Sequence, residues 1–230
     1  MSYNKQKVDP VLGKLVHKHL QKCGVETPTD ASKLYEENKK KIDKIEHHFT
    51  EIWKEMGLDL CDDSLAETPK RMAKMWVLET MWGLLPENFP KCTTVENKMN
   101  YDEMVVEKDV SVQSQCEHHG VVIDGLATVA YVPDKKVLGL SKINRIVEYF
   151  SKRPQIQERL AEQIYHALSF ILDTENVAVV IHATHYCVRS RGVEDTGSST
   201  VTSKLGGVFR NDSATRSEFM RMVNFDRSRR

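Results

Sequence analysis

The feature that most constrains this chain is a change of hydrophobic period near residue 104. Ahead of it, apolar residues recur at helical spacing: Leu12, Leu15, Val16 and Leu20, then Ile42, Ile45, Phe49, Ile52, Trp53 and Met56. Beyond it come short β-rich runs, Met104 to Val112, Val121 to Ile123 and Leu126 to Val132, with Asp124-Gly125 between the last two as a hairpin signal. Two helical stripes follow, one through Ile143, Ile146, Val147 and Phe150, the other through Ile156, Leu160, Ile164, Leu168 and Ile171; a β-rich run from Val177 to Val188 comes next. This order reads as an α+β chain, with a helical region over 1–100 and a strand-bearing region over 101–230.

Local signals set the element ends. Asp9-Pro10 reads as an N-cap followed by proline at the first helical position, with Gly24 as the stop; Gly57 stops the second helix. Ser64-Leu-Ala-Glu67 offers a capping box and Thr68-Pro69 a second start for a helix through Met72, Met75, Trp76 and Glu79 to about Trp82. Ser141 is a natural N-cap for the Ile143 stripe, which Arg153-Pro154 ends, and the next helix begins near Gln155. Arg189 to Gly207, rich in Ser, Thr and Gly, reads as a loop or an irregular strand pair. Ser213 to about Val223 can close the chain as a helix with Thr215-Arg-Ser-Glu218 as its box, and Asp226 to Arg230 reads as a frayed tail.

Composition excludes some functions. Lys plus Arg, 33, equals Asp plus Glu, 33, so no global field recruits nucleic acid or an anionic membrane, and any anion site is local. No apolar stretch of about twenty residues and no signal-peptide pattern is present, which points to a cytoplasmic protein. Five cysteines without a framework pattern fit reduced thiols, and Cys23, Cys61 and Cys92 read as ordinary.

Chemistry concentrates at Cys116-Glu-His118-His119-Gly120, between two strand-like runs. A Cys-x-x-His pair supplies two zinc ligands, and a catalytic site takes a third from the protein while leaving one position for water. On a straight strand Cys116 and His119 would face opposite ways, so the pair needs a turn or bulge, which Gly120 permits. The third donor lies in His182-Ala-Thr-His185-Tyr-Cys187. Regular alternation puts His185 and Cys187 on one face and His182 on the other. Cys187 then closes a Cys-His-Cys set with His185 beside it for proton transfer; in the alternative, His182 or His185 completes a closed structural zinc. Lys142 and Arg145, three apart at a helix start, form a phosphate site with the backbone N–H groups there, unless they are only a solvated basic turn. His47 and His48, adjacent on a helix, are poor joint ligands.

At these residues the chain resembles a known family. Cys116-Glu-His-His119, Gly139-Leu-Ser-Lys-Ile-Asn-Arg145, Arg153-Pro-Gln-Ile-Gln-Glu-Arg159, His185-Tyr-Cys187 and Arg191-Gly192 are similar, in order and spacing, to GTP cyclohydrolase I of the bacterial form. The resemblance runs from about Leu58 to Phe219, with one departure at Gly120, where the family usually carries a bulky apolar residue. It implies a tunnelling fold (T-fold): antiparallel sheet and two helices, here preceded by an N-terminal helical extension, assembled as a homodecamer of two pentamers. It implies zinc on Cys116, His119 and Cys187, activating water for attack on C8 of GTP. His185 then protonates N7, His118 acts at the ribose ring oxygen and Ser141 assists the sugar rearrangement. The products are formate and 7,8-dihydroneopterin triphosphate, at the first step of tetrahydrofolate and pterin synthesis. By the same resemblance Gln157 and Glu158 hold guanine, while Lys142, Arg145, Arg191 and Arg71 hold the triphosphate. Another reading is a relative of this fold that binds a pterin or deazapurine for different chemistry.

Overall fold

The computed structural model describes residues 7–224, so the basic tail read at Asp226 to Arg230 lies outside the described residues. Helix α1 spans Pro10–Cys23; Asp9 caps it, its carboxylate accepting from Leu12 N at 3.0 Å, and Gly24 leaves it at φ +67°. A short α2 (Ala31–Leu34) precedes α3 (Asn38–Glu55), and Gly57 follows with φ +78°. Of the two starts read for the next helix, the proline start is the one used: α4 is Thr68–Lys74, continued by a π-helical turn over Met75–Thr80. Ser64 is engaged elsewhere, donating its hydroxyl to Asp62 at 2.6 Å.

After the short β1 (Thr94–Glu96), two long strands form an antiparallel pair, β2 (Val105–Cys116) and β3 (Val122–Tyr131). The Asp124-Gly125 hairpin is therefore not there. Both residues lie inside β3, opposite Gln113 and Val112, and the reversal falls at 117–121. Gly125 serves close approach instead: a Cβ on it would lie 2.3 Å from the His182 carbonyl oxygen on the neighbouring strand.

Next come β4 (Lys136–Leu138), paired with β1, then α5 (Leu140–Ser151), a two-residue β5 (Pro154–Gln155) and α6 (Gln157–Leu172). The N-cap of α5 is Gly139, so Ser141 sits exposed inside the first turn and does not cap it. β6 (Val177–His185) leads into a single turn of helix, α7 (Tyr186–Arg189); β7 (Thr200–Leu205) returns along β6. The chain closes with α8 (Gly207–Asn211) and α9 (Ser213–Asn224). At α9 the expected capping box gives way to Asp212, whose carboxylate accepts from Thr215 N at 2.7 Å and from its hydroxyl at 2.6 Å.

The five-stranded sheet runs β5-β2-β3-β6-β7. It is antiparallel except at β5, which pairs parallel with the end of β2, so the sheet is mixed and not purely antiparallel. Alternation along β6 divides two apolar layers. Val177, Val179, Ile181 and Ala183 join the main core with Ile143, Ile146, Phe150, Leu160, Ile164 and Leu168 of α5 and α6, while Ala178 and Val180 meet Phe209 and Phe219 of α8 and α9. Val16, Leu20 and Phe89 belong to the same main core, which ties the N-terminal helical region to the sheet.

Candidate active site

β2 delivers Cys116 at its last position, and the chain turns there. Cys116 N donates to Val121 O at 2.7 Å and Gly120 N to Cys116 O at 2.8 Å, with Gly120 at φ +65°, a conformation that glycine adopts at no steric cost. This turn lets Cys116 and His119 face the same point, as their spacing required. It is tethered twice from outside. Glu117 N donates to Gln155 O at 3.0 Å, and the Arg159 guanidinium forks onto the Glu117 carboxylate at 2.5 and 3.3 Å. No spacing rule links Glu117 to Arg159; the pair exists because β5 lies beside the end of β2 and α6 starts there.

The third donor arrives differently from the way alternation suggests. β6 ends at His185, opposite Ile123, because β3 begins at Val122 and offers no ladder beyond it. Cys187 therefore sits in the α7 turn, and its direction is set by that turn. The Cys116 and Cys187 sulfurs and one ring nitrogen of His119 all lie within 4.8 Å of one another. Cys116 Sγ is 3.9 Å from His119 Nδ1 and 3.8 Å from His118 Nδ1. Burial and the neighbouring Cys116 push the Cys187 thiol up, while Arg191 pulls it down. A cation between the two sulfurs would favour the charged thiolate that its surroundings disfavour at Cys187. Two sulfurs and one nitrogen, with His119 exposed and Cys187 half-buried, fit Zn2+ with a coordination place left to solvent.

His185 stands beside this set and is held from behind. Its Nε2 lies 2.7 Å from Gln157 Oε1, and since a carbonyl oxygen accepts, this pairing puts the ring proton on Nε2 and leaves Nδ1 to act. Burial holds the imidazole below the usual histidine range, and the Glu158 carboxylate works against that. Gln157 is itself buried, its amide donating to Ile181 O (3.0 Å), Thr200 O (3.1 Å) and Thr202 Oγ1 (3.1 Å). Both ends of its side chain are engaged here, and the Oε1 contact positions His185. His182 faces the other side of β6, where its Nε2 meets Ser199 Oγ at 3.0 Å. Among the described residues the donor atoms that converge are those of Cys116, His119 and Cys187, and neither His182 nor His185 belongs to that group.

The remaining predicted residues divide by location. Exposed Glu158 starts α6 beside Gln157, and Arg191 follows α7, near enough to act on Cys187. Arg71 is exposed on α4, whose continuation brings Trp76 to 3.9 Å from where a Gly120 Cβ would stand. Lys142 and Arg145 are not brought to Cys116 and Cys187. α5 starts at the Leu138–Tyr131 end of the sheet and finishes near Ser114, which bonds Arg153 O at 3.2 Å. The charges of Lys142 and Arg145 act on Cys92, whose thiol burial pushes up to about 12. An open cleft of about 540 Å³ lies beside His118, lined by Thr27, Asp30, Lys33, Lys41, Glu117 and Pro154 among others.

Comparison with known proteins gives the family of the chain. The family model described as GTP cyclohydrolase I matches residues 45–224. A Shewanella oneidensis protein named GTP cyclohydrolase 1 is 57% identical over 201 residues, covering 87% of this chain and 92% of the relative. Proteins of the same name from Serratia proteamaculans and Tolumonas auensis are each 55% identical, over 91% and 90% of this chain and 94% of each relative. Matched over most of its length by the family model and by these relatives, the chain belongs to the GTP cyclohydrolase I family.

Proposed function

We propose that this enzyme opens the guanine imidazole ring of GTP at C8, releases formate and closes a pterin ring to give 7,8-dihydroneopterin triphosphate. Zinc held by Cys116, His119 and Cys187 is part of the reading, as is a place at the start of cytoplasmic pterin and tetrahydrofolate synthesis. The observation that carries it is the convergence of those three donors beside a histidine locked to Gln157. When bound there, zinc supplies the Lewis acidity that makes water nucleophilic near neutral pH.

The chain's own groups do the rest. His185, fixed at Nε2, presents Nδ1, which takes up a second proton from solvent and, from that imidazolium form, gives it to guanine N7. Exposed Glu158 accepts from the N1 and N2 hydrogens of guanine, a donor pair that adenine lacks. His118, at the rim beside the open cleft, serves the ribose ring oxygen, and Ser141, in the same first turn of α5 as Lys142, serves the sugar rearrangement from the copy that supplies that helix. Arg191 and Arg71 hold triphosphate oxygens near the cysteines, and Lys142 and Arg145 hold them from a first helical turn, where N–H groups add to the attraction.

Because Lys142 and Arg145 lie toward the other end of the sheet, the reading requires a second copy to bring its α5 to this copy's Cys116 turn. That supports sites shared between subunits in a tunnelling-fold homo-oligomer, two pentamers making a decamer. The exposed edge strand β7 gives such an assembly a backbone ladder to extend. Incubation of the purified protein with GTP tests the reading directly: formate and a pterin absorbance should rise together. Unchanged GTP, or a guanine product without formate, would overturn it.

A further inference from the structure

A second group of soft and borderline donors lies well away from the site just described. His19 and Cys23 are four apart near the end of α1, so they share one helix face. His166 of α6 packs against that face. Ligand atoms of the three residues lie within 4.8 Å of one another. His19 Nε2 is 3.6 Å from Cys23 Sγ. Zinc bonds of about 2.0–2.3 Å at tetrahedral angles put neighbouring nitrogen and sulfur ligands about 3.5 Å apart, so this pair already has the spacing of one edge of a metal site.

The surroundings hold the rings in place. Phe170 stacks on His19 with centroids 5.1 Å apart, and the His19 and His166 rings meet edge-on at 5.8 Å. His166 Nε2 lies 3.4 Å from Glu162 Oε2, and Lys204 grips the same carboxylate at 2.8 and 3.0 Å. A carboxylate behind a ligating imidazole orients the ring and raises its basicity, and Lys204 fixes that carboxylate in turn. All three donors are half-buried, which admits an ion from solvent while shielding the sulfur.

We propose that His19, Cys23 and His166 form a second transition-metal site, of Zn2+ class, with solvent in the fourth place. Its consequence is mechanical: a bound ion cross-links the first helix to the helix layer over the sheet. Nothing in the catalytic reading depends on it.

Metal counting on the full-length protein tests this. The protein is stripped of metal, reloaded with Zn2+ alone and dialysed, and zinc per chain is measured. The Cys116→Ala/Cys187→Ala double variant should keep one equivalent, and adding Cys23→Ser and His166→Ala should remove it. Cys23→Ser alone should lose one equivalent relative to wild type while GTP turnover is retained. Co2+ loading of the Cys116→Ala/Cys187→Ala protein should give a thiolate charge-transfer band that Cys23→Ser abolishes. If the double variant holds no zinc, or holds as much with Cys23 and His166 replaced, the second site is overturned. If wild type holds a single equivalent that Cys23→Ser removes, the second site stands and the catalytic zinc assignment falls. If Cys23→Ser leaves the wild-type zinc count unchanged, the second site is overturned.

Discussion

At the scale of single residues, the informative case is Gln157, because two roles for it make opposite predictions. Resemblance implies that it binds guanine; the structure shows its amide spent on Ile181, Thr200, Thr202 and His185. Gln157→Ala should therefore lower kcat, by up to the roughly 10²- to 10⁴-fold that a mispositioned proton donor costs, with zinc content and KM for GTP nearly unchanged. A rise in KM at constant kcat would return Gln157 to base recognition. Cys116 and His119 were legible as a pair from donor type and local spacing, and Cys187 from donor type, although it reaches them through a turn and not along a regular strand. Gln157's role was not, since its hydrogen bond to His185 joins a helix start to a strand end that only packing brings together. The same holds for Glu117 on Arg159 and for the approach of His166 to His19 and Cys23.

At the scale of elements, helices read well because each carries its own apolar stripe and its own ends. Asp9-Pro10 with Gly24, and Thr68-Pro69, act through bonds within a few residues, so sequence sees them. Strands depend on partners, and the error fell there: Asp-Gly is a hairpin signal, yet Gly125 sits mid-strand because β6 presses against it. Two glycine substitutions separate the two reasons for glycine in this sheet. Gly125→Ala would thrust a methyl to 2.3 Å from the His182 carbonyl oxygen and 2.5 Å from Ala183 Cβ, prying β3 from β6. Overpacking of this kind costs about 1–3 kcal/mol, or more where backbone must move. At Gly120 the space is open, the nearest atom being Trp76 Cζ2 at 3.9 Å, so Gly120→Ala should cost only the left-handed backbone penalty of about 1–2 kcal/mol. Urea unfolding should rank Gly125→Ala as the less stable protein, while zinc affinity, which depends on the 117–121 turn, should suffer more in Gly120→Ala. The reverse ranking in both measurements would mean that the turn and the strand contact have been assigned the wrong roles.

At the scale of the whole molecule, one copy holds the pieces of the proposed site apart. α5 carries Lys142 and Arg145 at the end where Leu138 bonds Tyr131, and finishes beside Ser114, close to the Cys116 turn. From Lys142 to Ser151 is roughly 14 Å of helix at the usual rise, before any distance to the cysteines is added. A nucleotide held at Cys116 by its base thus meets another copy's α5 more readily than its own. This can be decided without an assembly structure. The Lys142→Ala/Arg145→Ala protein keeps its sulfur and imidazole donors but lacks the cations; the Cys116→Ala/Cys187→Ala protein has the converse defect. Each should be inactive by itself. If each site takes its donors from one copy and its cations from another, dissociating and reassembling an equal mixture should restore activity, with roughly a quarter of sites regaining both intact halves in a symmetric oligomer. Mixing without reassembly should restore nothing, which guards against traces of wild-type enzyme. A reassembled mixture that stays as inactive as its parents, despite proven exchange of tagged subunits, would place both halves of the site in one chain.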